Sequence, residues 1–104
     1  MRFMVQMVVR LPGEWPAQRL EEIGKAENAR GHELINAGKL RRLFRIVGRR
    51  ANFSIWDAAS LEELHENLSS LPMHPWMDIT VTPLIEHPSE IEFKELYGAL
   101  PALD

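Results

Sequence analysis

From Arg2 to Leu11 the chain alternates as a strand does, yet this strand has no purely polar side. Phe3, Val5, Met7, Val9 and Leu11 share one face, while Met4 and Val8 sit among Arg2, Gln6 and Arg10 on the other. A sheet with one face packed and the other in water shows clean alternation. Here the second face asks for cover as well. Leu11-Pro12-Gly13 ends the strand, and Pro16 suits the first turn of a helix.

That helix is expected over Pro16 to Ala37, with Gly38 as its stop. Its inward stripe is Leu20, Ile23 and Leu34, supported by Ala37. The seven-residue step from Leu20 lands on Glu27, with Gly24 and Gly31 one turn to either side. Residues 39–47 and 51–57 read as two strands around Gly48-Arg49-Arg50. In the first, Leu40, Arg42, Phe44 and Ile46 oppose Arg41, Leu43, Arg45 and Val47. In the second, Ala51, Phe53 and Ile55 oppose Asn52, Ser54 and Trp56. Ser60 and Glu63 form a capping box for a second helix striped by Leu61, Leu64, Leu68 and Leu71 and ended by Pro72. Asp78 to Pro83 supplies a fourth strand.

Strand, helix, strand, strand, helix, strand is a split βαβ order. It implies an α+β fold: an antiparallel four-stranded sheet with both helices on one face. Because Phe, Met, Leu and Trp occur on both strand faces, the bare face is expected to meet a second copy, giving at least a dimer. Residues 1–84 make the domain. Residues 85–104 carry Ile91, Phe93, Leu96, Tyr97, Leu100 and Leu103, too apolar for a solvated end, so this tail is expected to dock on a neighbouring subunit.

Composition narrows the function. The chain of 104 residues has no cysteine, which excludes disulfide scaffolds, thiolate metal sites and cysteine nucleophiles and suits a reducing compartment. Arg10 interrupts the N-terminal apolar run, no small-residue cleavage site follows, and no stretch has the length of a membrane span, so a cytoplasmic protein is expected. The net charge of −3 is uneven. Residues 85–104 hold five acids and one Lys, leaving eleven bases against ten acids in residues 1–84. Within that body Arg41, Arg42, Arg45, Arg49 and Arg50 crowd ten residues that contain no acid. Such a cluster fits a small anion better than a long polyanion. No aromatic RNA-stacking signature accompanies it, so no nucleic-acid partner is expected.

Few residues are placed for chemistry. A carboxylate on an apolar stripe loses hydration, which raises its pKa and makes Glu27 a candidate base for proton abstraction beside a carbonyl. The alternative for Glu27 is an ion pair with a strand arginine. Guanidinium groups suit a carboxylate substrate or a developing oxyanion. Arg42 and Arg49 are read as solvated strand-edge residues. Asn52 can donate to a substrate oxygen, or serve the turn. His32, His65, His74 and His87 have no metal-ligand spacing; His65 is read as packing, and His74, in Pro72-Met73-His74-Pro75-Trp76, is the one histidine that stands out. No phosphate loop or Ser-His-Asp arrangement occurs.

Five runs in register resemble the muconolactone delta-isomerase family. They are Met-x-Phe-x-Val-x-Met-x-Val-x-Leu-Pro at the start, Arg41-x-Leu43-x-Arg45-Ile46-x-Gly48, Ala51-Asn52-x-Ser54, Leu71-Pro72-x-x-Pro75-x-Met77-Asp78-Ile79, and His87-Pro88-Ser89. The resemblance runs from residue 1 to about 90. It implies a ferredoxin-like fold, paired sheets in a dimeric α+β barrel, and assembly into a decamer. It also implies a reaction without metal or organic cofactor: a butenolide with a carboxymethyl arm loses its C4 proton and gains one at C2, through a dienolate. By the same resemblance Glu27 is the proton shuttle, Asn52 holds the lactone carbonyl, and Arg41 or Arg45 binds the carboxymethyl group. Arg49-Arg50 replaces the family's His-Tyr and His74 an aromatic residue, so Arg50 and His74 are counted with the substrate-binding residues. Two other readings stay open. One is a dehalogenase of a substituted lactone, in which halide leaves after the same deprotonation. The other is a non-catalytic barrel that binds a small acidic metabolite.

Overall fold

The alternating N-terminal run forms β1 (Arg2–Val9) in the middle of the sheet; the computed structural model describes residues 1–103. It is followed by α1 (Ala17–Asn36), β2 (Leu40–Arg45), β3 (Ala51–Asp57), α2 (Leu61–Ser69), a single 3-10 turn at His74–Trp76, β4 (Met77–Leu84) and α3 (Pro88–Tyr97). The strand order is β2-β3-β1-β4, with every neighbouring pair antiparallel. This is the expected split βαβ topology, with one element added: the apolar tail opens as a helix.

The face toward the helices holds the core. Phe3, Val5 and Met7 of β1 and Trp56 of β3 pack with Leu34 of α1, Leu64 and Leu68 of α2, and Leu71. Ser54 is buried among them with both hydrogen-bonding functions used. Its hydroxyl donates to the Val5 carbonyl at 3.2 Å and accepts from Trp56 Nε1 at 2.8 Å. A buried hydroxyl satisfied twice avoids the desolvation cost of an orphaned group. The opposite face presents Met4, Val8, Phe53 and Ile55, each half-buried, and exposed Phe44.

The helices depart from expectation in detail. Pro16 and Ala37 flank α1 as caps, Ala37 is exposed, and the chain turns at Gly38 with φ of 75°, a conformation that glycine adopts without strain. Leu61 opens α2 and is 56% exposed, so the stripe begins one turn later at Leu64. His65, read as packing, lies exposed beside Ser69. Ser60 accepts from the Glu63 N–H at 3.1 Å as a capping box requires; the Glu63 carboxylate reaches back to the Ala59 N–H and pairs with Lys39 at 2.8 Å.

The β2–β3 hairpin holds the most consequential irregularity. Leu40 faces Trp56, but Arg42 faces Ile55, so the register slips at Arg41. A bulge of this kind re-aims every side chain on one side of it. Leu40 stays on the core face, as do Leu43 and Arg45 beyond the bulge, whereas Arg42 and Phe44 turn to the other face. Strict alternation puts Leu40 with Arg42; the bulge separates them.

Candidate active site

An α-helix advances about 100° per residue, so α1 shows different neighbours on different faces. Leu34 looks into the core, whereas of the other expected stripe residues Ile23 is half-buried and Leu20 lines a cavity between α1 and the sheet. Gly24, Gly31 and Ile35 turn toward the same cavity. Glu27 stands at the border of these faces. Its Oε1 accepts the Met73 N–H at 2.8 Å. Burial among apolar groups pushes the Glu27 carboxyl above its usual range, and the Met73 hydrogen bond opposes that rise. Among the described residues its partner is this backbone donor rather than a cation. The expected alternative of an ion pair with a strand arginine is therefore not what the structure contains.

The Met73 donor is itself held. Arg30 Nε on α1 donates to Ser70 Oγ at 2.8 Å, fixing the end of α2 against α1. The His74 N–H donates to the Leu71 carbonyl at 2.9 Å and the Trp76 N–H to that of Met73, also at 2.9 Å. Trp76 meets Trp15 edge-on with ring centroids 4.7 Å apart, tying this segment to the loop before α1.

The cavity measures about 630 Å³, within the roughly 300–1,000 Å³ of small-molecule sites. Its walls are largely apolar, with Met7 and Trp56 among the strand residues. Arg45, Arg50 and Asn52 bring polarity to it. Neither guanidinium belongs to an ion pair among the described residues. Asn52 faces Arg45 across β3 and β2, and its Oδ1 is buried with no partner. Such an orphan costs about 1–3 kcal/mol. At the rim Ile35 and Leu43 are 48% and 52% exposed.

Gly24 and Gly31 have no conformational reason to be glycine, since each lies within α1. Apart from its chain neighbours and the helix's own backbone, a Cβ added at either would meet no protein atom within 4 Å. Glycine in a helix interior costs about 1 kcal/mol relative to alanine. Both positions open onto the cavity.

Of the residues expected at the site, the fold brings together Glu27, Asn52, Arg45 and Arg50. Arg41 and His74 stand outside the cavity lining. Arg41 Nε lies 3.9 Å from Asp57 Oδ2, and Asp57 is gripped by Arg2 at 2.8 and 3.0 Å, which lowers its pKa. The bulge at Arg41 explains this parting of two arginines that alternation places side by side. His74 begins the 3-10 turn, which leaves Met73, not His74, in the cavity wall. Arg42 lies over Phe44 at 4.9 Å on the opposite face, and Arg49 is exposed, as expected of solvated residues. Sequence reasoning missed the Met73 N–H, which is 46 residues from Glu27 and carries no side-chain signal. It also missed Asn28 and His32, which line the cavity and follow from helical spacing once Glu27 and Gly31 are placed on it.

Among the described residues no group of three or more His, Cys, Asp or Glu is placed to hold a metal ion, and no helix is long and apolar enough to cross a membrane. The family model for muconolactone delta-isomerase matches residues 1–90. The chain belongs to the muconolactone delta-isomerase family. It is 46% identical over 91 residues to the muconolactone delta-isomerase of Cupriavidus pinatubonensis, covering 88% of this chain and 99% of that relative. The corresponding enzyme of Acinetobacter baylyi is 43% identical, over 88% and 95% of the two chains. A crystal structure of muconolactone isomerase superposes with a TM-score of 0.82 at 40% identity, over 88% of this chain and 95% of that one. A 5-chloro-2-hydroxyhydroquinone dehydrochlorinase from Burkholderia phenoliruptrix, 20% identical, shares the fold with a TM-score of 0.61 over 86% and 98% of the chains. The family match ends at residue 90, inside α3.

Proposed function

We propose that this chain is a cofactor-independent isomerase that moves the butenolide double bond of muconolactone, giving 3-oxoadipate enol-lactone. The observation that carries the reading is Glu27: one desolvated carboxylate on the wall of a largely apolar cavity that Arg45, Arg50 and Asn52 also line, neither arginine belonging to an ion pair among the described residues. Glu27 takes the C4 proton as its C–H bond breaks, the electron pair enters the ring as a dienolate, and the same carboxyl returns a proton to C2. Charge collects on the lactone oxygen, where the Asn52 amide donates; one preorganised donor of this kind is worth about 10²–10³ in rate. Arg45 and Arg50 take the carboxymethyl group and the remaining negative charge. The transition state carries two negative charges, one fixed and one developing, and the cavity supplies two cations. Dissolved, folded protein given muconolactone should show spectrophotometric turnover at a rate far above the blank. Its absence would overturn the reading and leave a binding role for the cavity.

The functional unit on this proposal is a cytoplasmic homo-oligomer, at least a dimer and decameric by family likeness. Two features support it. The sheet face opposite the helices keeps Phe44, Phe53, Ile55 and Met4 without a second layer, and α3 has no buried residue although Phe93, Leu96 and Tyr97 are 37%, 63% and 73% exposed. The radius of gyration, 16.2 Å, exceeds the roughly 13 Å of a compact domain of this length. A tail that projects so far gains little from its own domain and docks on a neighbour. Removing residues 91–104 should lower the assembly mass by light scattering or make it concentration-dependent. An unchanged mass at all concentrations would argue against docking.

A further inference from the structure

We infer that the site is shaped for a lactone carrying an extra ring substituent about the size of a methyl group, and that Gly24 and Gly31 determine this specificity. The inference rests on the isomerase reading and extends it to the substrate.

The argument begins with what the two glycines do not do. Neither has a positive φ, and neither admits a neighbouring protein group. Both weaken α1 without packing in return. What each leaves is bare helix backbone facing the cavity on either side of Glu27. With a rise of 1.5 Å per residue, Gly24 and Gly31 lie about 4.5 Å and 6 Å from Glu27 along the axis. Both glycines open onto the same cavity as Glu27, so the space beside them is continuous with the place where the carboxylate acts.

The reaction geometry fixes where a substituent would go. A carboxyl that removes a proton from C4 and returns one to C2 works on one face of the ring, because the breaking and forming bonds stand perpendicular to the conjugated plane. The ring then lies flat against the α1 face beneath Glu27, and its in-plane substituents run outward along that face. A methyl group on C2 or C3 projects over one of the two bare stretches. An alanine there would occupy the same space. The chemistry is unchanged, since the proton leaves C4 and arrives at C2 with no other bond broken.

The test compares kcat/KM for muconolactone and for its C2- and C3-methyl derivatives in wild type, Gly24→Ala, Gly31→Ala and the double variant. Wild type should use at least one methylated lactone as well as the parent. At least one alanine variant should lower the ratio of methylated to parent kcat/KM by about 10-fold or more, the range for one methylene-sized change in an apolar pocket. Melting temperatures should rise by a few degrees, showing that the loss is not unfolding. A wild type that rejects both methylated lactones by 10-fold or more would overturn the inference while leaving the isomerase reading intact. So would ratios that stay fixed in all three variants. Turnover of none of the lactones by folded wild type would overturn the isomerase reading, and this inference with it.

Discussion

Glu27→Gln should lower kcat by roughly 10²–10⁴-fold, the usual contribution of a positioned acid–base group, while leaving the fold intact or slightly more stable. Gln keeps the volume and the oxygen that accepts the Met73 N–H, so the contact at 2.8 Å can persist. What it loses is the ability to take a proton. The stability direction follows from burial. Desolvation raises the Glu27 pKa in the folded chain above the ordinary 4.5, so the folded state holds this proton more tightly than the unfolded one. Its contribution to stability is full below the ordinary value and is lost as pH rises through the folded pKa. At neutral pH the ionised group opposes folding, and Gln removes that opposition. Thermal melts at pH 7 should therefore place the variant at or above wild type. The same shift governs activity. The acid limb of kcat/KM should fall with an apparent pKa above 4.5, because the free enzyme must present the carboxylate. Wild-type-like turnover in the variant, or an acid limb that stays flat below that value, would remove Glu27 from the role of base.

The two halves of this site were unequally legible in sequence. Glu27 announced itself through periodicity: helical spacing from Leu20 predicts an apolar residue and finds an acid. Periodicity also placed β1, β3 and the α2 cap, since each is a local pattern fixed by neighbours in the chain. The arginines were harder. Alternation puts Arg41 and Arg45 on one face, and only the slip between Leu40 and Arg42 sends the first to Asp57 and the second to the cavity. A bulge arises from how two strands settle against a core and leaves no mark in a period-two pattern. His74 misled for a related reason. In a single 3-10 turn a shift of one residue selects which side chain meets the cavity, and it is Met73. Gly24 and Gly31 were visible as bare backbone around Glu27, but their purpose appears only when no protein atom beyond the helix's own backbone is found near them.

Replacing both Arg45 and Arg50 by Gln should lower kcat/KM for muconolactone by about 10²–10⁴-fold. A hydrogen bond to a charged group is worth about 1.5–3 kcal/mol, and two of them multiply if they act on separate charges. The single variants divide the roles. A guanidinium that holds the carboxymethyl group binds substrate and transition state alike, so its loss should raise KM and leave kcat nearly as it was. One that faces the dienolate oxygen is needed only as charge develops, so its loss should lower kcat. Arg45 comes from β2 opposite Asn52, the amide assigned to the lactone oxygen, and that neighbourhood favours Arg45 for the oxyanion. Arg50 enters from the hairpin end, where the Val9 N–H donates to its carbonyl at 3.0 Å and fixes its backbone at the strand edge; this suits the carboxymethyl arm. Stability should change little, because neither side chain anchors an ion pair among the described residues. A double variant within about 3-fold of wild type, well under the loss of one such bond, would mean that both groups point into solvent when substrate binds. The opposite division of KM and kcat between the single variants would exchange their assignments and turn the lactone end for end in the cavity.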